Sequence, residues 1–320
     1  MTVESASPAE AKRIAEAIMS EVGKVVVGKQ REIKLILATM VSEGHVLLEG
    51  VPGVAKTTIA KSIASVLGLK FSRIQFTPDM LPSDVLGTFI FDRSTGEFKF
   101  RPGPIFANIV LADEINRASP RTQSAFLEAM QERQVTLEGR VFKLDRPFIV
   151  IATMNPVEME GIYPLPEAQL DRFMTKIELG YPSKEEEVEI LKRQEAIEEW
   201  PLRRVAGKEE ILSLIEGVKR VHVSEPILDY IAEIVRATRI HPRVRLGASP
   251  RAAVAILKLS RSLAYLDGRS YVTPDDVKSA VKPVLLHRII LKHGTDPRVV
   301  DQLIDDILST IATPSPPAFP

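Results

Sequence analysis

The chain has 320 residues, 45% apolar and 26% charged, and its 42 basic and 42 acidic side chains cancel to no formal net charge. A chain this long can bury one large core or two smaller ones, and balanced charge supplies no global field towards nucleic acid or an anionic membrane. The absence of cysteine excludes disulfides, thiolate metal sites and a cysteine nucleophile, and five scattered histidines without an H-x-x-x-H pair argue against a histidine metal site.

No apolar run reaches the roughly 18 residues of a membrane span and the start is polar, so a cytoplasmic protein without membrane insertion is expected. Ser7-Pro8-Ala9-Glu10 is a capping box that opens a first helix. Val25-Val26-Val27-Gly28 then gives way to a helix over 29–43, which Gly44 is expected to stop. Residues 45–58, HVLLEGVPGVAKTT, read as a strand feeding a phosphate-binding loop. Gly50, Gly53, Lys56 and Thr57 match G-x-x-x-x-G-K-[ST], except that Ala55 replaces the last glycine. Small residues let the backbone N–H groups of 53–57 curl round phosphates, the helix opening near Lys56 turns its positive end on them, and Lys56 reaches the β/γ oxygens. The expected ATP contacts are Gly50, Val51, Pro52, Gly53, Val54, Ala55, Lys56, Thr57 and Thr58, with the Thr57 hydroxyl on Mg2+. The plain alternative is a Gly/Pro turn before a surface helix.

A second strand is expected over 70–76, where Phe71, Ile74 and Phe76 pack. Residues 89–101, FIFDRSTGEFKFR, and 135–144, VTLEGRVFKL, alternate around Ser-Thr-Gly and Glu138-Gly139 and read as hairpins. Insertions of that length in compact domains are usually functional. Between them the apolar strand ANIVLADE (107–114) ends in Asp113 and Glu114. Opposite a phosphate loop, Asp113 would hold the Mg2+ water shell and Glu114 would act as general base on the attacking water. Met alone, such a pair is as readily a solvated turn. A third apolar strand, 148–153, ends in Met154-Asn155-Pro156. The Asn155 amide sits where a γ-phosphate or its water is oriented, although asparagine before proline is commonly a turn former. Three such junctions fit the rule that ligands bind outside the carboxyl ends of a parallel sheet.

The sheet is expected to close with a strand over 175–179 and a helix capped by Ser183 and Glu186, and Trp200-Pro201 marks the boundary. Beyond it the pattern is helical only. Ser224-Glu225-Pro226, Ser249-Pro250 and Thr273-Pro274 each place a cap before a first-turn proline, and Asp276 completes a capping box with Thr273. The fold class is α/β. A P-loop NTPase core over 1–200 has a parallel sheet flanked by helices and two β-hairpin insertions. A C-terminal all-helical lid follows over 207–312, and the tail 313–320 is expected to be disordered.

The runs GVPGVAKT (50–57), LADEINRASPRTQSAFLEAMQE (111–132), ATMNP (152–156) and YPLPEAQLDRF (163–173) resemble the MoxR family of AAA+ ATPases, and Ala55 resembles that family's usual loop. The resemblance spans residues 20–290 or so. It implies a homo-oligomeric ring, usually hexameric, with both hairpins near the pore or ring face. Such rings act as chaperone-like remodellers, or as maturation or metal-insertion factors, for protein clients beside proteins with von Willebrand factor A domains. It implies adenine near Val27 and Gly28, where a plain buried turn is the other reading. It also makes Arg172, in LDRF, the arginine that reaches a neighbour's γ-phosphate. Arg251, in GASPR, becomes the second sensor arginine that touches nucleotide and reports to the lid. Without the resemblance, a surface arginine is more often a salt-bridge partner or a snorkelling side chain. The implied catalytic set is Lys56, Glu114, Asn155, Arg172 and Arg251.

Two rival readings stay open. Arg236, Arg239, His241, Arg243 and Arg245 offer a path for a phosphate backbone, as in a helicase-like motor, yet no flanking aromatics offer base stacking and a lid hinge is favoured. The other rival is a nucleotide-gated scaffold that scarcely hydrolyses ATP, against which Glu114 argues.

Overall fold

Two helices precede the first strand, α1 (Pro8–Val22) and α2 (Gln30–Val41). The structure, a computed structural model, describes residues 4–51, 53–155, 163–199, 201–294 and 296–314. Pro52, Pro156, Trp200 and residues 315–320, invoked above, lie outside the described residues. Ser7 caps α1 by accepting the Glu10 N–H at 3.2 Å. The left-handed residue that ends α2 is Glu43 (φ 57°), one place earlier than the expected stop at Gly44. Gly44 is needed for another reason, since a Cβ there would lie 2.7 Å from the Met174 side chain.

The chain then runs β1 (Val46–Glu49), α3 (Lys56–Leu67), β2 (Phe71–Gln75), α4 (Pro82–Leu86), β3 (Gly87–Asp92), β4 (Glu97–Pro102), β5 (Ile109–Asp113), α5 (Pro120–Glu132), β6 (Gln134–Leu137), β7 (Arg140–Lys143), β8 (Ile149–Met154), α6 (Glu167–Leu170), β9 (Thr175–Glu178) and α7 (Lys184–Glu199). Five strands form one sheet in the order β2-β5-β8-β1-β9, every pair parallel. Side-chain alternation explains the layers. Val46, Leu48, Ile109, Leu111, Ile149 and Ile151 enter one core with α1, α2 and α3. Leu47, Val110, Ala112, Val150 and Ala152 enter a second with Phe126, Met130 and Phe173. Adjacent residues serve opposite faces, so a one-residue slip would misplace all of them. Truncating one such Ile or Leu to Ala costs about 2–5 kcal/mol.

The remaining elements are α8 (Lys208–Val218), α9 (Glu225–Ile240), β10 (Val244–Leu246), α10 (Pro250–Leu266), α11 (Pro274–Leu285), β11 (Ile290–Leu291) and α12 (Pro297–Thr310). Helices dominate this lid, as the capping signals require, but β10 and β11 pair antiparallel through Val244↔Leu291. Strands of three and two residues are too short to register as a period-2 pattern. The Thr273–Asp276 box forms, its carboxylate also gripped by Arg269. Ser249 makes no capping bond, and its hydroxyl is buried without a partner. The first helices lean on α10: Ser42 meets Ser262 at 2.6 Å and Lys34 pairs with Asp267 at 2.5 Å.

The two hairpins meet each other through aromatic rings, Phe100 stacking on Phe142 at 4.0 Å with Arg140 over Phe89. At the outer end of β3–β4, Phe91 and Phe98 stay exposed at 55% and 67%. Glu138 and Gly139 both take positive φ (48° and 72°), the turn that suits strand twist.

His45 fastens β1 to its neighbours. Its Nδ1 accepts the Val150 N–H at 3.0 Å, which leaves Nε2 to donate to the Met130 carbonyl at 3.1 Å. Burial and the nearby Arg133 cation push its pKa from 6.5 down to about 3. The unfolded chain therefore takes up the proton first, and stability present above about pH 6.5 is lost as pH falls towards 3. Buried His287, beside Arg288, is shifted the same way. At 1.36 kcal/mol per unit, His45 alone lowers stability by about 2 kcal/mol near pH 5. Urea denaturation at pH 7.5 and pH 5 should show that drop, and His45→Gln should lose much of the slope. An unchanged slope in the variant would move the pH sensitivity elsewhere.

Candidate functional site

The carboxyl ends of β1, β5 and β8 lie side by side. Register pairs Glu49 with Met154, so Gly50 and Asn155 leave the sheet together, and β5 next door delivers Asp113 and Glu114. The structure thus gathers at one edge the three strand ends singled out in the sequence.

Gly50 lies so close to β9's end that a Cβ would fall 2.7 Å from the Leu179 carbonyl oxygen. Gly53 has φ +86° and open space around it. Ala55 caps α3 in the left-handed region (φ 65°, ψ 21°), where a non-glycine residue costs about 1–2 kcal/mol. That conformation lets α3 begin at Lys56, with Thr57 and Thr58 in its first turn and the helix N–H groups facing the loop. The Lys56 ammonium donates to the Gly50 carbonyl at 2.5 Å, drawn across the mouth of the loop. Val51 and Val54 pack against the core behind it. Val27 and Gly28 form a turn against α7, where Glu186 occupies the space a Gly28 Cβ would need. Both readings of that turn are compatible with this packing.

Asp113 is 8% exposed and both its oxygens are taken. Oδ1 accepts the Thr153 hydroxyl at 2.6 Å, and Oδ2 accepts Arg73 Nε at 3.1 Å and Nη2 at 2.7 Å. Glu114 is left-handed (φ 55°), and its N–H donates to Thr153 Oγ1 at 2.9 Å. Its carboxylate accepts Gln75 Nε2 at 2.8 Å and Arg117 Nη1 at 3.1 Å. One hydroxyl on β8 therefore fixes both acids of β5. Asn155 is 6% exposed at the end of β8.

Among the described residues no group of three or more His, Asp or Glu side chains makes a protein-only metal cage. Thr57 and Asp113 are hard oxygen donors of the kind Mg2+ takes, with phosphate and water oxygens completing its shell, so the residues present fit that ion.

Arg172 and Arg251 lie elsewhere, in a surface pocket with Arg133, Lys258 and Arg288 that includes no residue of the phosphate loop. Arg172 donates to the Leu127 carbonyl at 3.0 Å. Arg251, on the first turn of α10, pairs with Asp171 at 3.2 Å, the residue before Arg172. Asp171 is also held at 2.6 Å by Arg288, whose guanidinium is 3% exposed and binds the Phe173 and Met174 carbonyls. The basic cluster 236–245 is partly spent inside the chain: Arg239 donates to the Ala248 carbonyl, Arg243 pairs with Asp306 at 3.0 Å and Arg245 approaches Glu167 at 3.9 Å.

Sequence reasoning missed Arg73, Gln75, Arg117, Thr153 and Arg288. Arg73 and Gln75 are two apart and so share a face of β2, a polar signal present in the sequence. Arg288 falls in an ordinary-looking helix end, and nothing in the pattern marks it.

The parallel sheet with a phosphate loop after its first strand and an acidic pair after the strand two places away, across β8, defines a P-loop ATPase class. The profile of the ATPase family associated with various cellular activities (AAA) matches residues 45–175, and the AAA lid domain matches 236–309. Chaperone MoxR1 of Mycobacterium tuberculosis is 44% identical over 316 residues, covering 95% of this chain and 84% of its own. The uncharacterized protein YeaC of Bacillus subtilis is 48% identical over 92% of this chain and 93% of its own, and protein MoxR of Paracoccus denitrificans is 30% identical over 91% and 94%. A crystallised ATPase candidate from Cytophaga hutchinsonii superposes with a TM-score of 0.89 at 40% identity, over 96% of this chain and 97% of that one. The chain belongs to the MoxR family of AAA+ ATPases.

Proposed function

We propose that this protein hydrolyses Mg2+-ATP at sites shared between subunits of a homo-oligomeric ring, and that the ring remodels protein clients. The observation that carries the reading is the meeting of the phosphate loop, the Asp113–Glu114 pair and Asn155 at adjacent strand ends. Lys56 swings from the Gly50 carbonyl to the β/γ-phosphates, and the N–H groups opening α3 hold their oxygens. Thr57 and Asp113 would hold Mg2+, which would supply neutralisation of developing phosphate charge. Glu114 takes the proton of the attacking water and Asn155 orients that water. Arg172, in a pocket lined by no residue of the phosphate loop, is the arginine assigned to a neighbour's γ-phosphate, and Arg251 is the one assigned to sensing nucleotide for the lid.

A core over 1–200 and a lid over 207–312 are the units that would move against each other, clasped at Asp171 by Arg251 and Arg288. The hexamer, the cytoplasmic setting, a role in maturation or metal insertion, and a partner with a von Willebrand factor A domain belong to this proposal through the family. Client remodelling is favoured by the relative named as a chaperone. A nucleic-acid motor is disfavoured because Arg243 and Arg245 already face Asp306 and Glu167. The test is phosphate release from ATP with and without EDTA, beside filter binding to DNA at two salt concentrations. Metal-dependent turnover without DNA binding is expected. Binding that falls steeply with salt would favour the motor, and ATP binding without phosphate release would leave the scaffold.

A further inference from the structure

The ion pair between Arg73 and Asp113 stands in the place where the metal acid is expected to work. Arg73 grips Oδ2 with two nitrogens, at 3.1 and 2.7 Å, while Thr153 takes Oδ1. The same Nη2 donates to Gln75 Oε1 at 2.7 Å. That contact turns the Gln75 amide so that its nitrogen donates to Glu114 at 2.8 Å. One guanidinium therefore reaches both acids, Asp113 directly and Glu114 through Gln75. Arg117 adds a second cation, so two positive charges balance two negative ones.

A divalent ion approaching Asp113 meets this arrangement as a competitor. Both carboxylate oxygens are occupied, and a guanidinium beside the carboxylate repels a second cation. The Arg73 side chain is 48% exposed, so it has room to swing aside into solvent. When it leaves, Gln75 loses the bond that orients its amide, and its hold on Glu114 weakens.

We propose that Arg73 is a displaceable counter-ion of the metal site: Mg2+ arriving with nucleotide evicts it from Asp113, and through Gln75 the eviction loosens Glu114. Arg73 is a positioning residue in this account, since it acts through Asp113 and Gln75. The inference rests on the reading of Asp113 as the metal acid.

The experiment is a Mg2+ titration of binding by a fluorescent, non-hydrolysable ATP analogue, read by anisotropy, in the native protein and in Arg73→Gln. Glutamine keeps a hydrogen-bonding side chain and removes the charge. The Mg2+ midpoint should fall about tenfold in Arg73→Gln, and Arg73→Lys should stay near the native value because a cation remains. A midpoint that is unchanged or higher in Arg73→Gln would overturn the proposal, since a purely structural Arg73 would give that result. Should Arg73→Gln not fold, the native protein still decides the matter through the NMR resonance of the Arg73 Nε–H. It should move on adding the analogue with Mg2+ and stay put with the analogue and EDTA, and a resonance indifferent to Mg2+ would overturn the proposal. Failure of the ATPase reading itself looks different, because the native protein would then bind no analogue at any Mg2+ concentration.

Discussion

Glu114→Gln is expected to bind ATP as the native protein does and to release phosphate about 10²–10⁴ times more slowly, the usual worth of a positioned general base. The geometry makes this substitution a clean one. The left-handed backbone at Glu114 is held by its N–H bond to Thr153 and does not depend on the side-chain charge. A glutamine of the same shape still accepts from Arg117. The ion pair it gives up is part-exposed, with the two side chains 41% and 26% accessible, and screening leaves such pairs about 1 kcal/mol or less. Folding should therefore survive while the proton acceptor is gone. Lys56→Ala is the contrasting variant, for it removes the cation of the loop and should abolish nucleotide binding itself. Anisotropy with a fluorescent nucleotide separates the two, and phosphate release measures the first. A native turnover rate in Glu114→Gln would move the base to another residue.

What made the site legible was strand-end chemistry. Lys56, Thr57, Asp113, Glu114 and Asn155 each directly follow or lie near a short apolar run, and a parallel sheet aligns such ends. The register of β1, β5 and β8 confirms the alignment. Less legible were the residues that act across the sheet. Arg73 lies on a neighbouring strand 40 positions from Asp113, and a distance of that kind has no local signature. Arg288 and Asp171 are 117 positions apart, and only the folded lid brings them together. The β10–β11 ribbon escaped because its strands are shorter than one alternation can reveal. Capping signals were better at opening helices than at naming the bond. Asp276 accepts both the N–H and the hydroxyl of Thr273, whereas Ser249 starts α10 on its proline alone. Gly44 shows the same limit from the other side: the expected helix ran to residue 43 while α2 ends at Val41, and close packing on Met174 is what demands the glycine.

Turnover per subunit should rise with protein concentration and fall about 10³–10⁵-fold in Arg172→Ala, as when an arginine supplied in trans is removed. The argument begins with where Arg172 is. It shares a pocket with Arg251, and no residue of the phosphate loop lines that pocket. The neighbouring Asp171 is clamped by Arg251 and by the buried Arg288, which keeps the turn rigid and presents Arg172 from it. The Arg172 side chain donates to the Leu127 carbonyl, and losing that bond should cost the fold about 1 kcal/mol. Nucleotide affinity should change far less than turnover, because charge on the γ-phosphate grows most in the transition state. Mixing sharpens the test. Glu114→Gln carries a sound arginine and a dead base, and Arg172→Ala carries the reverse. In a shared-site ring the two inactive variants, combined, recreate some interfaces with both groups intact and turnover returns. If each subunit works alone, the mixture stays as inactive as its parts, turnover is flat with concentration, and a monomeric nucleotide switch replaces the ring.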